Sequence, residues 1–342
     1  MTTLDIGAEP EAVLSTERTI PRHLVHRAAV AEVFLTDFQS VGERDFRASA
    51  QLPPDHSYYA DRLGTAGGHD PLAVFEAVRQ MLLCAMHLQH DAGPGTKSIT
   101  AEAGLRITDP RPLHAPARPL DLDLVGRAAL VKEYRGAVSR VVHEVDVAAA
   151  GRPIGTVRVD TALRPDDIYR TLRMSGRTTE PPSSDDLPAV SPARPIGPHL
   201  VGRTRADNVV LHDMALRGGE LTALLRVPLR HPSMFDHPQD HVPGPVMMEA
   251  ARQLGLLLAG ERHGLAAAKL HLAELTAEYL RFAELDADIV LRSEILRAPA
   301  ADGGGLAFAV AFEQGGEAVA RMRVALGSTL GRAGAAGAPD GS

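Results

Sequence analysis

Apolar and polar positions alternate along this chain with two different periods. Around 72–88 and 245–259 nearly every side of a helix is apolar. Pro71 after Asp70 and Pro245 after Gly244 are good first-turn residues, so the pattern predicts helices over Pro71–Leu88 and Pro245–Leu258. Period-two alternation predicts strands over Ser98–Ile107, Leu120–Val131, Ala137–Ala148 and Pro153–Leu163 in the first half. In the second half it predicts them over Glu274–Phe282, Ala287–Leu296, Leu306–Glu313 and Ala318–Leu326. A short strand is expected before each helix, at Val30–Leu35 and Asn208–Leu211, with Asp37 and Asp213 as strand-end turn residues. Strands of period two build antiparallel sheets with one buried face. A helix that is apolar all round must be enclosed, and only the sheet is available to wrap it. The expectation is an α+β fold.

The same order of elements occurs twice, and so do the residues. L-V-H-R-A-A-V-A-E-V-F-L-T-D (24–37) aligns without a gap on L-V-G-R-T-R-A-D-N-V-V-L-H-D (200–213). E-A-V-R-Q (76–80) returns as E-A-A-R-Q (249–253), T-A-E at 100–102 returns at 276–278, and Leu105-Arg106-Ile107 is echoed by Leu280-Arg281-Phe282. Blocks in one order at long spacing indicate a duplicated domain. The expected division is a first domain over 20–168, a linker over 169–196 centred on the Pro-, Ser- and Asp-rich run 177–195, and a second domain over 197–330. The first fifteen residues and the tail 331–342 are expected to be disordered.

With 342 residues the chain can bury a large core. A net charge of −7 and the lack of a basic stripe argue against nucleic acid and anionic membranes as partners. Cys84 is the single cysteine, so no intrachain disulfide can form. The N-terminus lacks the features of a signal peptide, and Glu, Arg and Gln interrupt the longest apolar runs. A cytoplasmic protein is expected.

The chemistry concentrates in the repeated pentapeptide. Glu249 and Arg252 share a helix face and Gln253 lies one turn on; Glu76, Arg79 and Gln80 repeat this arrangement. A carboxylate in such an apolar run is costly unless paired or used. Three readings stand for Glu249 and Arg252: a self-satisfied buried ion pair, a general base kept ionised by its neighbour, or a guanidinium that holds an anionic acceptor. Glu76 and Arg79 are either a second site or a packing relic. Gly244 lets a ligand approach the second helix start, where free N–H groups and the dipole can polarise a carbonyl; turn geometry alone would also explain it. Asp70-Pro71 replaces that arrangement in the first half and disfavours an oxyanion there. His237 and His241, with Asp236 and Asp240, crowd the loop before the second helix. They fit acid–base chemistry better than metal, because the spacing matches no standard zinc pattern. His56 and His69 occupy the corresponding first-half loop and His26 the preceding segment, each also explicable as solvated.

Pro243-Gly244 followed by Glu249-Ala250 and Gln253 resembles the P-G-x4-(D/E)-A-x-x-Q signature of hot-dog β-hydroxyacyl dehydratases. The longer pattern D-H-P-Q-D-H-V-P-G-P-V-M-M-E-A-A-R-Q (236–253), together with V-H-R-x4-E-V-F-L-T-D (25–37), resembles the A-factor biosynthesis family of γ-butyrolactone autoregulator synthases over roughly 20–330. The resemblance implies two tandem hot-dog domains forming an internal pseudo-dimer. It also implies acyl transfer from a β-ketoacyl thioester, on acyl carrier protein or coenzyme A, to a hydroxyl of dihydroxyacetone phosphate, without a cofactor. A dehydratase or thioesterase, or a non-catalytic acyl- or lactone-binding protein, are the alternatives. Glu249 is then the first candidate for catalysis, followed by Arg252, Glu76, Arg79, His237 and His241. Gly244, Gln253, Gln80, His56 and His69 are expected at the substrate. Hot-dog pairs set their sites at the interface, so Glu249 is expected to meet His56 or His69, and Glu76 to meet His237 or His241.

Overall fold

Asp70 caps the first long helix: its side chain accepts from the Leu72 N–H, and Pro71 follows at the first helical position. That helix, α1 (Pro71–Leu88), is the one predicted; it is long and apolar enough to cross a membrane, yet it is buried inside the protein as a core helix. The computed structural model describes residues 13–63, 68–93, 95–114, 118–189, 191–299 and 305–328. The first twelve residues and the tail beyond 328, including the expected disordered run 331–342, lie outside the described residues.

The first half contributes β1 (Leu35–Ser40), β2 (Asp45–Leu52), α1, β3 (Thr96–Ile107), β4 (Leu120–Tyr134), β5 (Ala137–Ala149) and β6 (Arg152–Pro165), followed by α2 (Asp166–Met174). The second contributes β7 (Leu211–Arg217), β8 (Glu220–Leu225), α3 (Gly244–His263), β9 (Leu270–Tyr279), β10 (Val290–Arg297), β11 (Leu306–Gln314) and β12 (Glu317–Ser328). These strands join in one antiparallel sheet of order β1-β2-β4-β5-β6-β3-β9-β12-β11-β10-β8-β7. Read from its centre, each half repeats the other. The seam is β3 against β9, where Glu102 faces Glu278 and Ala103 faces Ala277, so the duplicated T-A-E blocks meet at their glutamates. This is the self-complementary contact of a two-fold dimer made within one chain. It gives the expected α+β architecture of two tandem hot-dog domains forming an internal pseudo-dimer.

Inward-facing residues of the strands, such as Leu120, Leu122 and Leu124 on β4, pack on the enclosed helices. Buried apolar side chains from both halves form one continuous core. Gly255 in α3 permits that packing, because a Cβ there would sit 2.0 Å from the Phe308 ring.

Several local expectations are corrected. Val30–Glu32 and Ala206–Asn208 are 3-10 turns, and the first strand of each half starts only at Leu35 and Leu211. Asp37 and Asp213 lie inside those strands at breaks in register, and Asp213 takes a positive φ of 53°. β2 and β8 are additional to the expected strands, although Phe46, Ala48, Ala50 and Leu52 of β2 alternate with polar residues. Helix α2 crosses the expected domain boundary at 168/169, and Ser184 of the linker is buried and bonded to Gln239.

Candidate active site

Each Glu of the repeated pentapeptide is clamped by two arginines and a glutamine. Glu76 Oε1 accepts from Arg27 Nη2 (2.6 Å), Arg79 Nη2 (2.9 Å) and Gln80 Nε2 (2.7 Å), and Oε2 accepts from Arg79 Nε (2.8 Å). Glu249 Oε1 accepts from Arg203 Nη2 (2.8 Å), Arg203 Nε (3.0 Å) and Gln253 Nε2 (2.6 Å). Its Oε2 accepts from Arg252 Nη2 and from the Tyr58 hydroxyl (3.2 Å). Arg27 and Arg203 come from the aligned blocks V-H-R and V-G-R. Sequence reasoning used these blocks to detect the repeat but did not count their arginines as site residues; the recurrence of Arg at both places was the available signal.

The glutamines are fully engaged elsewhere. Gln80 accepts from the Phe34 and Leu35 N–H groups and donates to Glu32 O, while Gln253 accepts from Val210 N and donates to Asn208 O. Each ties its helix to the approach of the edge strand and is itself buried. His56 and His69 also differ from expectation. His56 Nδ1 accepts from Tyr58 N and Tyr59 N and its Nε2 meets Glu32 at 3.3 Å, while His69 is bonded to Arg118 O. Neither ring lines the large cavity described next.

That cavity, of about 1360 Å³, lies between the halves and is asymmetric. The start of α3 opens on it through Pro243, Gly244 and Pro245, and α1 contributes Phe75, Arg79, Leu83 and His87. His26, Arg27, His237 and His241 also line it. The start of α1, by contrast, meets only a pocket of about 30 Å³, since Asp70 is buried and bound by Arg252 Nη1 through both carboxylate oxygens at 2.7 Å. Glu249 is 0% exposed and screened from the cavity by the Tyr58 ring, which lines it. Of the two pentapeptides, the one that reaches the large cavity is that of Glu76, through Arg79.

The cross-half pairings are relayed rather than direct. Arg27 bonds Glu76 and also reaches Asp236 Oδ1 at 3.2 Å, and Asp236 Oδ1 lies 2.5 Å from His237 Nδ1. Glu249 receives Tyr58 from the first-half loop, in the place where His56 or His69 was expected.

Both loop histidines are held by the aspartate just before them. His241 Nδ1 is 2.6 Å from Asp240 Oδ1, and Asp240 also accepts from the Tyr169 hydroxyl and Arg173 Nε on α2. An Nδ1–H donated to each carboxylate leaves Nε2 with its lone pair; on His237 that atom is 2.6 Å from Gln239 Nε2.

Burial alone would push Glu76 up, but the charges of Arg27 and Arg79 outweigh it and bring the carboxyl down to about 2. A carboxylate so stabilised is a poor general base. Burial pushes the Cys84 thiol up to about 12, which removes it as a nucleophile. At Gly244 a Cβ would lie 2.7 Å from the Tyr279 hydroxyl, so glycine is required there for packing. Pro245 has no N–H, and the Val246 and Met247 N–H groups already bond Pro243 O; the Gly244 N–H is the donor left at this helix start.

A family model described as the A-factor biosynthesis hotdog domain matches residues 8–163 and again 185–328. The chain belongs to the A-factor biosynthesis family. A relative from Streptomyces virginiae named 2-oxo-3-(phosphooxy)propyl 3-oxoalkanoate synthase is 33% identical over 84% of this chain and 90% of its own. One of the same name from Streptomyces griseus is 34% identical over 69% of this chain and 74% of its own. Among solved structures, a putative oleoyl thioesterase from Lactobacillus plantarum is similar with a TM-score of 0.48 at 12% identity, covering 82% of this chain and 96% of that one.

Proposed function

We propose that this protein is an acyltransferase that moves a β-ketoacyl group from a carrier thioester to a hydroxyl of dihydroxyacetone phosphate, in γ-butyrolactone-type signal biosynthesis. Membership of the A-factor family and the activity for which its relatives are named support the reaction class. The observation that carries the reading to this site is the large cavity, where the open start of α3, the Asp236–His237 pair and the Arg79–Glu76 pair converge.

In this reading the thioester carbonyl lies at the start of α3, polarised by the Gly244 N–H and the helix dipole. The acceptor hydroxyl approaches His237 Nε2 in the place the Gln239 amide holds. Nε2 takes the hydroxyl proton as oxygen attacks the carbonyl carbon; Asp236 stabilises the imidazolium. The tetrahedral intermediate then expels the thiolate, which receives that proton, and an ester remains. Transfer from a thioester is downhill, so positioning and charge stabilisation suffice and no cofactor is invoked. The donor is an acyl carrier protein or coenzyme A thioester, and the setting is cytoplasmic, in keeping with one buried free cysteine.

The test is purified protein with a β-ketoacyl thioester, with and without dihydroxyacetone phosphate. Ester formed only with the acceptor supports the proposal. Acceptor-independent hydrolysis or dehydration would replace it with thioesterase or dehydratase chemistry, and binding without turnover would make the protein a non-catalytic binder.

A further inference from the structure

The duplication provides an internal comparison for every residue of the cavity. Counting along α1 and α3 from Glu76 and Glu249, Arg79 falls on Arg252, Asp70 on Pro243 and His87 on Gly260. In the second-half network the outer edge of Arg252 is occupied, because Nη1 bonds both oxygens of the Asp70 carboxylate. In the first-half network the matching cap residue is Pro243, which has no anion to offer. Arg79 binds Glu76 through Nε and Nη2, and its side chain remains 27% exposed on the cavity. Both arginines hold their own glutamate, but among the described residues only Arg252 has a second carboxylate on its outer edge.

Two histidines stand beside Arg79 where the other half has glycines. His26 falls on Gly202, and both follow a 3-10 turn in the left-handed region, with φ of 51° and 72°. Glycine adopts that conformation readily, whereas an L side chain is strained in it. The first half keeps an imidazole there all the same. His26 Nε2 lies 2.8 Å from His87 Nε2, and His87 Nδ1 lies 2.7 Å from Ala92 O. Burial, and then the charges of His87, Arg79, His237 and Lys97, push the His26 imidazole down to about 4. An arriving dianion would relieve that positive field.

We infer that Arg79, with His26 and His87, forms a phosphate-ester site on the cavity, the counterpart of the place that Asp70 fills against Arg252 in the other half. The assignment rests on the acyl-transfer reading for its ligand, the phosphate of the triose acceptor. A guanidinium edge suits a phosphate dianion, which carries several acceptor oxygens, and the N–H that His26 Nε2 shares with His87 Nε2 can turn to it. The phosphate of a phosphopantetheine carrier has the same chemistry, so the test must separate the two sources.

Acceptor preference is measured as kcat/KM for dihydroxyacetone phosphate over that for dihydroxyacetone. Donor preference is measured in parallel with phosphopantetheine and pantetheine thioesters. Arg79→Gln should reduce the acceptor preference about 10- to 100-fold, the range of a lost charge-assisted hydrogen bond, and leave the donor preference unchanged. A loss confined to donor preference, or no change in either, overturns the assignment. Glu76 keeps Arg27 and Gln80 in that variant, and His26→Gly adds a change that relieves backbone strain. Its urea midpoint should be equal or higher while calorimetric affinity for dihydroxyacetone phosphate falls. Pro243→Asp should abolish that binding by supplying the carboxylate that Asp70 supplies opposite. Unaltered affinity in both variants overturns the site. Arg79-dependent binding without any transfer would sink the acyltransferase reading and leave the site standing.

Discussion

Glu76 and Glu249 occupy the same turn of equivalent helices, with the same neighbours at three and four residues. Their difference comes from what lies beyond the arginine. Removing the Glu249 charge leaves Arg203 buried beside its remaining neighbours, and uncompensated buried ions cost about 3–5 kcal/mol. Glu249→Gln is therefore expected to lower the urea midpoint strongly, while the folded fraction retains transfer. His237→Ala should do the reverse: a near-normal midpoint and kcat lowered by roughly 10²–10⁴, as for loss of a general base. Equal losses of kcat in both variants, after correction for folded fraction, would return Glu249 to the chemistry.

Acid should act on this protein in two stages. Burial first holds His231 and His271 down to about 4 and His143 to about 3, so these rings are neutral in the fold. Once unfolded they protonate near the ordinary 6.5, so between there and about 4 the unfolded chain binds more protons and stability falls as pH drops. Asp70 and Glu76, brought down to about 2 by arginines against the opposing effect of burial, contribute stability that is lost as pH falls from their ordinary values toward 2. Urea midpoints measured stepwise should begin to fall below about 6.5; a plateau down to the carboxylate range would contradict the assignment of neutral buried imidazoles.

At the scale of elements, the two long helices were legible because their apolar run and first-turn proline are local signals. The long strands were legible because alternation is local too. The edge strands β1 and β7 begin later than their apolar residues suggest, since Gln80 and Gln253 hold the preceding backbone in another path. No short-range pattern encodes a glutamine forty-odd residues away in the chain. Gly244 was recognised by motif, but its neighbour was not: Tyr279 arrives from β9. Gly244→Ala should clash with that phenol and reduce turnover, and Tyr279→Phe should restore part of it by removing the hydroxyl. Failure of the second change to rescue the first would show that glycine serves the ligand or the turn and not this contact.

At the scale of the whole molecule, the halves share a seam and a core, and only one linker joins them. Tyr169 and Arg173 of α2 fasten to Asp240, so the linker covers the cavity at the α3 start. A single connection breaks the pseudo-two-fold at one of two sites. The shared core predicts one cooperative thermal transition, with calorimetric and van't Hoff enthalpies equal. Two resolved transitions would mean that the seam is weaker than its ladder and core imply.

The sequence by itself determined that there are two copies, that each has one enclosed helix in an antiparallel sheet, and that Glu and Arg recur together on that helix. Periodicity, capping and repetition are properties of neighbours in the chain, so they can be read without coordinates. Only the tertiary structure decided which copy faces the cavity. That choice depends on Asp70 meeting Arg252 across 182 residues and on Arg27 joining Glu76 to the loop of the other half. Buried charge is governed by distance in space, and two pentapeptides that differ only at Val78 and Ala251 acquire different surroundings once the chain closes on itself.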